Sequence, residues 1–206
     1  MTLRLPEAED EIIVDPAVAR RKFERELETY GAMASDRRKL GWWILSADFP
    51  EVLVAFAHPR LKPPSVIVGA VLDFTNYDVW APSVTLVNPF TKEPYRARDL
   101  PAALTFSRRV NVELPAQFAG FGQGQAEQPL LVAHSPDDIP FLCIPGVREY
   151  HSHPAHSGDS WFLHRGLGEG TLYFLLEKLY RYGVEPITDY QYGLHIVGYT
   201  RPLSPD

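Results

Sequence analysis

Residues 41–90, GWWILSADFPEVLVAFAHPRLKPPSVIVGAVLDFTNYDVWAPSVTLVNPF, decide the fold. Within them four short apolar runs, WWILSADF, EVLVAFAH, SVIVGAVLDF and SVTLVNPF, are separated by segments containing proline. Runs of this length, rich in Val, Ile, Phe and Trp and bounded by turn formers, read as strands. In sequence order they predict an antiparallel meander of about four strands. Trp42, Trp43 and Trp80 read as core or sheet-covering residues, and His58, just before Pro59, as an exposed turn residue.

A helix precedes the meander. Asp15 is placed to cap it, Pro16 suits the first helical position, and Phe23, Leu27 and Tyr30 recur at helical spacing before Gly31. The charged remainder, with Arg20, Arg21 and Lys22, reads as a solvated face. Far downstream, GEGTLYFLLEKLYRYG predicts a closing amphipathic helix from about Glu169 to Tyr182. Leu172, Leu175, Leu176, Leu179 and Tyr182 lie on its apolar side and Gly183 at its end.

Residues 91–140 read as an insertion: a short helix near Leu100 to Phe106, a strand-like RRVNVEL and a Gly/Gln-rich connecting loop, AGFGQGQAEQ. LLVAHSPDDIPFLCI then restarts the sheet. Gly120, Gly122 and Gly124 lack the helix start and the Lys-Ser/Thr of a phosphate-binding loop. The final YGLHIVGYTRPLSPD suggests a strand or extended arm and a tail, with His195 as a structural histidine. The expected architecture is one α+β domain over residues 1–206, built from an N-terminal helix, an antiparallel meander, an active-site-like loop and a closing C-terminal helix.

With 206 residues, 45% of them hydrophobic, the chain can fill one core. Its net charge of −6, with no stretch gathering enough Lys and Arg to offset it, argues against a nucleic-acid partner. MTLRLPEAEDEIIVD lacks the long apolar core of a signal peptide, and no apolar run is long enough to span a bilayer. A cytoplasmic protein without a membrane partner is expected. The single cysteine, Cys143, permits no intramolecular disulfide and is available as a thiolate.

The chemistry is concentrated in residues 141–165, FLCIPGVREYHSHPAHSGDSWFLHR, which hold Cys143, Glu149 and four of the seven histidines. If the chain continues as a strand after the Pro145-Gly146 turn, Glu149, His151 and His153 project from one face. A two-residue turn puts Cys143 on the opposite face, and a three-residue turn with a bulge puts it on theirs. Thiolate, imidazole and carboxylate together suit Zn(II), with Cys143, Glu149, His151 and His153 as ligands and His156, Asp159 and His164 as residues that orient them.

The order Cys143, Glu149, His151, His153 resembles the predicted metal-binding Cys-Glu-His-His family. That family occurs in bacterial gene neighbourhoods encoding ubiquitin-like proteins and their activating, conjugating and deconjugating enzymes. The likeness is carried mainly by residues 141–183. It implies a metal site and, as partners, a ubiquitin-like protein and its activating enzyme. A second likeness lies in Phe74, Tyr77, Pro82 and Val84, which resemble the pattern leading into a strand of ubiquitin-conjugating enzymes, with Thr75 and Asp78 where two prolines usually stand. Cys143, Trp161 and Thr171-Leu172 follow in that family's order of cysteine, tryptophan-containing loop and helix start.

The two likenesses imply different chemistries. Four ligands on one zinc close the tetrahedron and make its role structural, whereas an open position can hold a reactive water. As a ubiquitin-conjugating domain, the chain uses Cys143 as the nucleophile that forms a thioester with a ubiquitin-like C-terminus, and Glu149, His151 or His153 moves the proton. The family's His-Pro-Asn before the cysteine is missing, and His153-Pro154 follows it instead. If that His-Pro is the equivalent, Trp161 falls near the nucleophile position and the chain is a non-catalytic interaction module. His151-Ser152-His153-Pro154 also matches letters of the JAMM metalloprotease motif, but its downstream Ser-x-x-Asp is absent and Glu149 is adjacent rather than distant.

Overall fold

Asp15 and Pro16 start the first helix as their chemistry predicts. In a computed structural model that describes residues 12–101, 104–112 and 124–189, the Asp15 carboxylate accepts from the Ala17 amide at 2.8 Å and α1 runs Pro16–Gly31. A short α2, Ala34–Lys39, follows. The meander is then β1 Trp42–Asp48, β2 Glu51–His58, β3 Ser65–Asp73 and β4 Ser83–Val87. These form one four-stranded sheet in the order β1-β2-β3-β4, every neighbouring pair antiparallel. The chain is a mixed α+β protein, as expected.

The interior strand explains the unbroken apolar run EVLVAFAH. Every residue of β2 after Glu51 is buried, so both of its faces are covered. His58 belongs to this run and is 3% exposed, which corrects its assignment to an exposed turn. The strand continues through it before the chain turns back with Leu61, itself buried. Of the tryptophans, Trp42 is buried and packs on Phe56 and Tyr180, whereas Trp43 is 40% exposed.

The closing helix starts later than Glu169. Thr171 is its cap, accepting from the Phe174 amide, and α5 spans Leu172–Leu179 before widening into a π-helical turn over Tyr180–Val184. Its leucines at 172, 175, 176 and 179 are all buried, each contributing about 1.5–3 kcal/mol by removing apolar surface from water. Glu26 of α1 ties the helices together, one oxygen accepting from the Leu172 amide at 3.1 Å and the other from the Tyr77 hydroxyl at 3.0 Å.

Residues 91–140 differ from expectation in two places. The described residues between Leu100 and Phe106 are not helical, and the Gly/Gln-rich segment is not wholly a loop. Gly124–Pro129 forms β6, which pairs antiparallel with β5, Ser107–Val112. The restarted sheet is a separate short pair, β7 Leu131–Val132 with β8 Phe141–Leu142. The predicted final strand and His195 lie outside the described residues.

Gly183 does not end the helix. It lies inside the π-helical turn, where its lack of a side chain admits the fully buried Phe106 ring. A Cβ at Gly183 comes 2.2 Å from the Phe106 Cζ. Phe106 itself has φ 40°, a conformation tolerated because its ring is packed. Gly183→Ala is expected to cost about 1–3 kcal/mol through overpacking. Urea unfolding of the two proteins measures the difference.

Candidate functional site

The strand expected after the Pro145-Gly146 turn is a helical turn, α3, Arg148–Ser152. Arg148 accounts for its placement. The Arg148 amide donates to the Pro82 carbonyl at 2.9 Å, and its guanidinium reaches the Thr75 carbonyl at 2.8 Å, the Ala81 carbonyl at 3.1 Å and the Asp73 carboxylate at 3.3 Å. The start of α3 is thus held against the β3–β4 connection. His153 is extended, as the residue before a proline should be, and Pro154 opens a 3-10 turn over Pro154–His156. A four-residue α4, Trp161–His164, completes the segment, and the Trp161 indole donates to the Asp78 carbonyl at 2.8 Å.

This local path separates the four predicted ligands. Glu149 is partly buried against β4, with Ser83 donating to its Oε1 and its Oε2 atom buried without a partner among the described residues. Burial, opposed by the Ser83 hydrogen bond, raises its carboxyl above the ordinary range. His151 uses both ring nitrogens. Nε2 accepts from the Gly146 amide at 3.0 Å, so Nδ1 carries the proton and donates to the Asp159 carbonyl at 2.9 Å. Burial lowers the His151 pKa and favours this neutral ring.

His153 caps its own turn, Nδ1 accepting from the Ala155 amide at 3.2 Å, and its ring lies beside Phe141 and His134. Among the described residues Cys143 makes no hydrogen bond to any of these three. Its sulfur is 3.1 Å from Nε2 of His156. Among the described residues no group of three or more His, Cys, Asp and Glu side chains is placed to hold a metal ion.

The Cys143–His156 pair is the arrangement that sequence reasoning missed. A strand model puts His151 and His153 on the reactive face. The break at Pro154 instead starts a turn whose last residue, His156, projects toward the sulfur. Cys143 is half-buried, its amide bound to the Leu130 carbonyl at 2.7 Å, and burial raises its thiol above the ordinary 9.0 while Arg108 pulls it down. At neutral pH the sulfur therefore carries its proton, and in the tautomer that leaves Nε2 of His156 unprotonated that nitrogen is placed to accept it. The arrangement brings a thiol and an imidazole within reach of each other, and His156 also lines a cleft of about 610 Å³ between Trp80 and Trp161.

Asp159 and His164, assigned from the sequence as orienting residues, form a network of their own. Tyr150 donates to one Asp159 oxygen at 2.6 Å, Nε2 of His164 contacts the other at 2.5 Å, and Nδ1 of His164 contacts Glu169. The His164 pKa is raised from 6.5, first by the Asp159 hydrogen bond and then, after an opposing burial effect, by Glu169. Asp159 is lowered from 3.8 by its bonds from Tyr150 and His164. The stability supplied by His164 is complete below 6.5 and fades as pH rises through its raised value. That of Asp159 is complete above 3.8 and fades as pH falls through its lowered value.

His164→Ala is accordingly expected to cost most in mildly acidic solution, about 1 kcal/mol after discounting for solvent screening, or a fall of about 2–4 °C in Tm. The gap between variant and wild type closes at alkaline pH, as calorimetry at the two pH values will show.

No helix among the described residues is long and apolar enough to cross a membrane. In comparisons with known proteins, the model of the Y4jH-like family matches residues 14–187. The chain is also 41% identical over 189 residues to a Sinorhizobium fredii (strain NBRC 101917 / NGR234) protein described as uncharacterized protein y4jH, covering 89% of this chain and 90% of that protein. The match spans the meander, the Cys143–His156 pair and the closing helix, and the chain belongs to the Y4jH-like family.

Proposed function

We propose that this chain works in a bacterial ubiquitin-like conjugation pathway as a domain of ubiquitin-conjugating type. Cys143 takes the C-terminus of a ubiquitin-like protein from its activating enzyme. The observation that carries this reading is the 3.1 Å approach of the Cys143 sulfur to Nε2 of His156. The order of elements supports it: α1, a sequential antiparallel meander, an irregular segment bearing the cysteine, and α5 closing behind. Residues 91–140, which include β5 and β6, are then an insertion in a single domain.

The chemistry follows from the raised thiol. As Cys143 attacks the thioester carbonyl on the activating enzyme, His156 takes the thiol proton. The bond from that carbonyl to the activating enzyme's sulfur breaks, the departing thiolate recovers a proton from the imidazolium, and the ubiquitin-like protein is left on Cys143. General-base assistance of this kind is worth about 10²–10⁴-fold. Incubation with the cognate ubiquitin-like protein, activating enzyme and ATP is expected to give one adduct per chain that is removed by reducing agent. A chain left unmodified by a charged activating enzyme overturns the reading.

Zinc is the second reading, favoured by the adjacency of a thiol and an imidazole, with the His153 ring centroid 5.8 Å from that of His156. Binding through Cys143, Glu149, His151 and His153 requires His151 to release one of its two hydrogen bonds, whereas Glu149 keeps Oε2 without a partner among the described residues while Ser83 holds Oε1. Elemental analysis of purified protein separates the two: a stoichiometric metal supports zinc, and metal-free protein that still forms the adduct supports the thioester carrier.

A further inference from the structure

The His156 imidazole is supported from the side by an aromatic ring. Tyr150 stacks on it with ring centroids 4.0 Å apart and planes inclined by 27°. We infer that Tyr150 is a positioning residue, holding the His156 imidazole against the Cys143 sulfur through its ring while its hydroxyl is fixed by Asp159. The inference rests on the reading of Cys143 and His156 as nucleophile and base.

Three observations lead to it. The backbone leaves His156 free to turn, since the 3-10 turn is three residues long and its main-chain bonds, His156 to His153 and Asp159 to His156, do not restrain the ring. Offset stacking of two planar rings supplies that restraint. The tyrosine is itself immobilised: its hydroxyl donates to Asp159 at 2.6 Å, Asp159 is held by His164, and His164 by Glu169 in the connection ahead of α5. A chain of contacts therefore runs from that connection through Tyr150 to the base. Among the described residues, Cys143 and His153 on the same loop also stand near the His156 ring, and Arg108 of β5 acts on both Cys143 and Tyr150.

The sequence offers a reason for the tyrosine where a plain aromatic ring would stack as well. Phenylalanine in place of Tyr150 keeps the stack and loses the anchor, and leucine loses both. Burial and the Asp159 hydrogen bond push the Tyr150 hydroxyl up to about 12, so it remains a donor throughout the neutral range.

The test uses the full chain, with iodoacetamide as the probe of Cys143 and mass spectrometry as the readout. Tyr150→Leu is expected to slow alkylation at neutral pH about 10-fold, because a base displaced from the sulfur loses its advantage, whereas Tyr150→Phe stays within about 3-fold of wild type. In proton NMR, the Hε1 resonance of His156, assigned by its loss in His156→Gln, is expected upfield in wild type and Tyr150→Phe and to return downfield in Tyr150→Leu. That wild-type shift is readable even where a variant fails to fold, and its absence overturns the inference. Equal rates in wild type and Tyr150→Leu, alongside a slow His156→Gln, overturn the positioning role alone. If His156→Gln itself alkylates at the wild-type rate, the reading of the pair fails first.

Discussion

Cys143→Ser is expected to abolish the reductant-sensitive adduct with a ubiquitin-like protein while leaving the fold intact. Serine is the smaller, unreactive stand-in at this position. The backbone amide keeps its bond to the Leu130 carbonyl, and the half-buried side chain changes by one atom, so stability should shift by no more than about 1 kcal/mol. The chemical change is much larger, because a hydroxyl is a poor nucleophile unless strongly activated and any ester it forms resists thiols. Electrophoresis with and without reductant distinguishes the outcomes. An undiminished reductant-sensitive band in Cys143→Ser places the adduct on another chain or another group, since no second cysteine is present.

The second large effect is expected at His156. His156→Gln retains a polar side chain of similar length but removes the group able to take a proton from the Cys143 sulfur. With burial holding the thiol above its ordinary 9.0, spontaneous ionisation supplies little thiolate at neutral pH. Adduct formation there should fall about 10²-fold. In strongly alkaline solution the sulfur ionises without help and the difference narrows. His153→Gln serves as the control: His153 caps its turn through Nδ1 and stands beside Phe141, so a loss comparable to that of His156→Gln argues for the wrong base.

Much of the scaffold was legible because its signals are local. Proline-bounded apolar runs gave the four strands, Asp15 and Pro16 gave the start of α1, and the leucine spacing gave α5. His58 stands at a strand end, as its place before Pro59 suggests, but it is buried rather than exposed, with the Leu61 amide turning back to its carbonyl. The hairpin β5–β6 was half hidden because Gly124, Gln125 and Gln128 are poor strand formers, and cross-strand pairing with Ser107–Val112 overrides their preference.

The site was legible as a region and misread as a geometry. Alternation of Glu149, His151 and His153 suggested one face of a strand, but Arg148 draws the chain toward Thr75 and Ala81 and winds it into a helical turn. Helical spacing points Glu149 at Ser83 and leaves His151 bridging Gly146 and Asp159. Gly146 shows how little freedom that turn has: at φ 93° a Cβ there would lie 2.4 Å from the Gly170 nitrogen. These long-range contacts carry no periodic signature, so residue spacing alone does not place His156 beside Cys143.

The most direct measurement of the central claim is the rate of Cys143 alkylation as a function of pH in wild type and His156→Gln, read on the intact chain. The account predicts a wild-type rate that persists into the neutral range and a variant rate that rises only as the thiol itself ionises. Superimposable profiles would show that the 3.1 Å approach of sulfur and imidazole has no chemical consequence, and the assignment of Cys143 and His156 as nucleophile and base would be wrong.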